Sequence, residues 1–111
     1  MTYDARFDQT RLDMLAQQYL TENTADGRVL FLSESEDNSL EQARWKLDDA
    51  AYSALSAAGF KLELMELLRI LMIYRAQCSQ PNASQGIVHI RKNELVIEWL
   101  PKSEFDVLFN E

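Results

Sequence analysis

Residues 60–74 read FKLELMELLRILMIY, and no other stretch of the 111-residue chain is so apolar for so long. Between Lys61 and Arg75 the interior polar positions are only Glu63, Glu66 and Arg69, which recur three residues apart. On a helix that spacing makes one narrow solvated stripe and leaves apolar side chains around most of the circumference, so the segment predicts a largely buried central helix. Two competing assignments fail. A bilayer span needs about 20 apolar residues with few charges, whereas this run is shorter and holds three. Strand alternation fits only Phe60 to Leu64. Each fully buried Leu, Ile or Met side chain contributes about 1.5–3 kcal/mol, so this helix is expected to supply the largest share of the drive to fold.

Gly59, just before it, is a natural C-terminal cap for a helix over Leu40–Ala58, which Ser39 and Gln42 open with a capping box. The apolar positions Leu40, Ala43, Leu47, Ala50 or Ala51, Ala54 and Ala58 recur at helical spacing, and the alanines permit close approach of the central helix. Trp45 and Tyr52, seven residues apart, fall on one line along the flank of this helix beside Asp48 and Asp49. They read either as a core edge or as an aromatic anchor in an acidic surround, the residue type that dominates interface energetics. Upstream, Ser33–Asn38 (SESEDN) is an acidic loop, Val29–Leu32 suits a short buried strand, and Asn23–Gly27 signals a turn around Asp26 and Gly27. A first helix is predicted over Arg11–Glu22, capped by Thr10 with Asp13 and presenting Leu12, Leu15, Ala16, Tyr19 and Leu20 on one face. Tyr3 and Phe7 either anchor an N-terminal arm or open that helix a turn or two early.

Downstream, residues 76–86 lose apolar periodicity and connect to a β-hairpin of Ile87–Ile90 and Leu95–Trp99. Its tip is Arg91–Glu94, where Asn93 can take the left-handed conformation. Leu95, Ile97 and Trp99 share one face, and Val96, Glu98 and Leu100 the other. Pro101 ends the strand, and Ser103 with Asp106 caps a last short helix carrying Phe105, Val107, Leu108 and Phe109. The predicted order is α-β-α-α-β-β-α: a single small α+β domain over residues 1–111, with a central buried helix and the C-terminal β-hairpin in a small, mostly antiparallel sheet.

Eleven Lys and Arg against eighteen Asp and Glu give a net charge of −7, which argues against direct grip on a nucleic-acid backbone or an anionic membrane and leaves a basic protein as the conceivable partner. The imbalance lies in residues 1–58, with five basic against eleven acidic residues. One cysteine, Cys78, precludes an internal disulfide, and the N-terminus lacks a basic region followed by an apolar run, so a cytoplasmic location is expected.

Candidate chemistry is sparse. His89 is the only histidine, so this chain alone cannot build a serine-type triad or a two-histidine metal site. Cys78 has only Arg75 as a neighbouring base and reads as inert. Gly27, Gly59 and Gly86 are isolated, unlike a phosphate-binding loop. Adjacent helical carboxylates such as Asp48 and Asp49 point apart, and no calcium-loop pattern is present. The expectation is a non-enzymatic protein with no catalytic residue, cofactor or metal. In size, charge and missing catalytic apparatus the chain is similar to small acidic bacterial proteins that neutralise one partner, above all immunity proteins that block toxic nucleases. The likeness covers no specific residues; the acidic surface of residues 34–49 itself leads to the expectation that Glu34, Glu36, Asp37, Glu41, Asp48 and Asp49, with Trp45 and Tyr52, dock on a basic toxin and occlude it. The rival readings are an antirestriction or anti-CRISPR inhibitor presenting carboxylates in place of phosphates, a homodimeric structural or adaptor protein, and an enzyme that borrows a cofactor or completes its site with another subunit.

Overall fold

Phe60, Leu64, Leu68, Leu71 and Met72 recur along one side of a helix, and all five are buried. They belong to α3 (Phe60–Gln77), the longest helix of the computed structural model, which describes residues 2–22, 24–33 and 42–110. The order is α1 (Ala5–Tyr19), β1 (Ala25–Leu32), β2 (Gln42–Lys46), α2 (Asp49–Ala58), α3, β3 (Gln85–Lys92), β4 (Glu94–Trp99) and α4 (Lys102–Phe109). The fold is therefore the expected small α+β domain with a core helix and a C-terminal hairpin. One strand, β2, is added between β1 and α2.

All strand pairs are antiparallel and the sheet runs β2-β1-β3-β4. Alternation along β1 sends Val29 and Phe31 to one face and Leu30 and Leu32 to the other, and all four are buried because both faces are covered. On the first face Val29, Phe31, Val88, Ile90 and Leu95 join α3, Leu12, Leu15 and Ala16 of α1, and Leu55 of α2 in the main core. On the second, Leu30, Leu32 and Ile87 meet Phe105 of α4 and Leu100. Ile97 and Trp99 side with Leu95 on the main core, as their alternation with Val96 and Glu98 required.

Several local expectations are corrected. The second helix does not span residues 42–48: residues 42–46 form β2, and α2 starts at Asp49 with Asp48 as its cap, while the expected start at Ser39 and Leu40 lies outside the described residues. Alternation of Ala43, Trp45 and Leu47 with Gln42, Arg44 and Lys46 wins there because the pairing groups of β1 would otherwise be left open. The first helix starts six residues before Arg11 and is capped by Asp4, whose carboxylate accepts from the Arg6 amide at 2.9 Å, while Thr10 lies within it. Asp26 and Gly27 lie within β1 rather than in a turn; a Cβ on Gly27 would collide with the Lys46 carbonyl and the Leu47 side chain. At the hairpin tip the left-handed residue is Lys92 (φ 59°), not Asn93, and the Asp26 carboxylate accepts from its amide at 3.3 Å. Ser103 lies inside α4, whose N-cap position is Pro101 and which has no side-chain cap. The solvated side of α3 is also broader than three polar residues would make it. Leu62 is 74% and Ile70 45% exposed, since the sheet, α1 and α2 leave its outer side open.

Gly59 has φ +98° and serves both α2 as C-cap and α3 as N-cap, a left-handed position that costs a side-chain-bearing residue about 1–2 kcal/mol. One residue thus ends α2 and begins α3.

The N-terminal segment is pinned by a polar cluster. Asp8 is 2% exposed and its carboxylate accepts from the Tyr3 hydroxyl and, at 3.2 Å, from the Trp99 indole. The Arg75 guanidinium lies over both rings, at 5.0 Å from Tyr3 and 4.8 Å from Trp99. Phe7 stacks on Tyr74 at 3.8 Å, and the Asp4 amide donates to the Tyr74 hydroxyl. Burial, and then the bond to Asp8, push the Tyr3 phenol above its usual 10.0. A pKa raised in the folded state stabilises fully below the unfolded value and loses that contribution as pH climbs through the folded one. Chemical denaturation should therefore show stability falling as pH rises above 10.0, with a shallower fall in Tyr3→Phe.

Candidate partner-binding rim

Of the eight residues that the sequence nominates for partner contact, Glu34, Glu36, Asp37 and Glu41 lie outside the described residues. The other four, Trp45, Asp48, Asp49 and Tyr52, converge where β2 passes into α2. Their proximity does not arise from one helix flank. Trp45 projects from β2 towards the main core, and Tyr52 meets it edge-on from the first turn of α2 with ring centroids 5.8 Å apart. Trp45 also packs edge-on against Phe60 at 5.9 Å and is half-buried, so it is a core-edge residue with one flank at the surface. Its indole nitrogen is buried without a hydrogen-bond partner among the described residues.

The carboxylates divide their work. Asp48 accepts from the Ala51 amide at 3.0 Å and satisfies an otherwise open donor of the first turn of α2. Asp49, exposed in that turn, sits where the helix dipole favours an anion. The rim also carries cations that the sequence did not nominate. Lys61, at the start of α3, donates to the Tyr52 hydroxyl at 2.6 Å, and this bond holds the Tyr52 phenol below its ordinary value. Arg44 of β2 reaches across to Phe109 of α4, lying over its ring and donating to its carbonyl. Arg44, Trp45, Asp49, Tyr52 and Lys61 line a surface cleft of about 420 Å³. An aromatic floor with both charge signs at its edges suits a polar peptide or protein surface.

This rim lies at a margin of the sheet. Among the described residues β2 is a terminal strand, paired only with β1, and its charged residues Arg44 and Lys46 discourage strand-to-strand self-association. The other terminal strand, β4, is bridged by α1, where the Gln9 side chain donates to the Leu95 carbonyl at 2.9 Å.

A second polar feature lies on the part of the sheet that α4 leaves open. Register places Lys46 opposite Arg28, Arg28 opposite His89, and His89 opposite Val96, so that three basic side chains stand abreast on a strongly acidic chain. Within this row only His89 is within ion-pair distance of a carboxylate among the described residues, with Nε2 2.9 Å from Glu98. The three come from three strands far apart in sequence, and only their cross-strand register could have revealed the row. Cys78 is buried just beyond α3. Among the described residues no cluster of three His, Cys, Asp or Glu side chains could hold a metal ion, and no helix is long and apolar enough to cross a membrane.

The fold and this rim define a small α+β protein with an aromatic, mixed-charge surface site. Comparison of the chain with protein-family models, with curated proteins and with solved structures found no match in any of the three.

Two outcomes follow from the geometry. In a spectrophotometric titration, Lys61→Met should move the Tyr52 phenol back up towards the ordinary tyrosine value. Like charges directly opposite each other on neighbouring strands destabilise a sheet, so Lys46→Glu should raise the unfolding free energy by about 0.5 kcal/mol in urea titration.

Proposed function

We propose that this chain is a non-enzymatic protein-binding module: a small acidic inhibitor of the immunity type, acting in the cytoplasm on a basic partner such as a toxic nuclease and occluding its active surface. The observation that carries the reading is the joining of Trp45 and Tyr52 at the β2 margin of the sheet, with Asp48 and Asp49 beside them. Aromatic side chains at a surface edge supply contact area at low entropic cost, and nearby carboxylates speed encounter with a cationic protein. The net charge of −7 acts in the same direction over longer range. Arg44 and Lys61 would then confer selectivity, since a partner must offer acceptors to them as well as cations to Asp49.

Capture on the tagged protein from a lysate of its own source cells, at low and moderate salt, tests this reading. The expected result is one stoichiometric basic protein whose own activity falls in proportion to added inhibitor, with weaker retention at higher salt. Asp49→Lys should slow association about tenfold at low salt and much less at high salt. Asp48 is the poorer probe because it also caps α2. Retention of no partner, or of one whose activity is unchanged, would remove the inhibitor reading.

A further inference from the structure

The outer side of α3 carries a residue pattern that the core and the partner rim leave unused. Leu62, Glu66, Arg69 and Ile73 follow one another at spacings of four, three and four residues, which places them on a single stripe facing away from Phe60, Leu64, Leu68, Leu71 and Met72. Leu62, Glu66 and Arg69 are exposed and Ile73 is half-buried. Among the described residues neither Glu66 nor Arg69 lies within ion-pair distance of an opposite charge.

Read in reverse, the stripe is its own complement. A twofold axis passing outside α3, perpendicular to it and level with the Leu67–Leu68 step, would set Leu62 against Ile73 of a second copy, and Glu66 against its Arg69, each contact occurring twice. Met65 on one flank of the stripe and Ile70 on the other make the borders of the seam apolar as well. We infer that α3 is the antiparallel, isologous interface of a homodimer, with a second copy of this chain as its occupant.

Two further observations favour a copy over another protein. Self-association brings like surfaces together, and a chain of net charge −7 can do so cheaply only through a face that is itself neutral. Arg11 and Arg69 balance Glu63 and Glu66 on this side of the molecule, and Met14, 65% exposed on α1, widens the apolar seam. Side by side, α1 and α3 offer a face about 27 Å long and about 20 Å wide, near the lower end of what specific interfaces bury, about 600 Å² per partner. The inference does not depend on the partner-binding reading, because the β2–α2 rim shares none of these residues.

Sedimentation equilibrium on the purified full chain tests it. At about 100 μM, where an interface of this size should be populated, the mass should approach twice the 12.9 kDa of one chain. Leu62→Asp, at an exposed position, should return the protein to monomer with an unchanged far-ultraviolet circular dichroism spectrum. Glu66→Arg sets cation against cation and should weaken association about tenfold, and Glu66→Arg combined with Arg69→Glu should restore it, because the reversed stripe is again its own complement. A monomeric wild-type protein, a dimer indifferent to Leu62→Asp, or a double reversal no tighter than Glu66→Arg alone would each overturn the proposal.

Discussion

The contact between the apolar face of α3 and the inner face of the sheet is the interaction on which the rest of the molecule depends. Phe60, Leu64, Leu68, Leu71 and Met72 meet Val29, Phe31, Val88, Ile90 and Leu95, and nearly all of these are fully buried. Once α3 lies there, α1 can reach the sheet only beside it, along β4, and α2 must turn back at Gly59 towards β2. Burial of this kind is non-directional. The directional terms are therefore few and local: the left-handed Gly59, the tight approach at Gly27, and the buried Asp8 that ties α1 to Tyr3 and Trp99. Each fixes one angle that hydrophobic contact alone leaves loose.

This arrangement also determines which surfaces remain for function. α4 seals only part of the second sheet face, leaving the row of Lys46, Arg28 and His89 in solvent contact, and the open side of α3 keeps Leu62 and Ile70 at the surface. The β2–α2 rim is a third surface, formed by the margin of the sheet. A chain of 111 residues thus carries an aromatic rim, a basic row and a neutral amphipathic helix face, each on a different side of the core. Such separation lets one surface hold a partner while another holds a second copy.

Much of this was legible in the sequence where one periodicity dominated. The central helix read over 60–74, the hairpin facing of Leu95, Ile97 and Trp99, and the cap at Gly59 each rest on a local signal with no strong competitor. Residues 42–48 failed because Ala43 and Leu47 suit a helix at four-residue spacing, while Ala43, Trp45 and Leu47 suit a strand at two-residue spacing. Only the demand of β1 for a neighbour decides between them. Asp26-Gly27 reads as a turn in isolation, yet the glycine is there because Lys46 and Leu47 press on it. At the rim, the nearness of Trp45 to Tyr52 was expected for a reason that does not hold: a strand-to-helix junction joins them, not seven residues of one helix. Lys61 and Arg44 were missed because their roles depend on contacts with Tyr52 and Phe109 that no sequence spacing encodes.

The most direct measurement is a nuclear magnetic resonance titration of isotopically labelled protein with the partner it retains, following backbone amides and the Trp45 and Trp99 indole N–H signals separately. Perturbations centred on Trp45, Asp49, Tyr52 and Lys61, with Trp99, Arg28 and His89 unmoved, are the predicted result. Perturbations centred on the outer face of α3 or on Arg28, Lys46 and His89, with the rim silent, would contradict the assignment of the β2–α2 margin as the working surface.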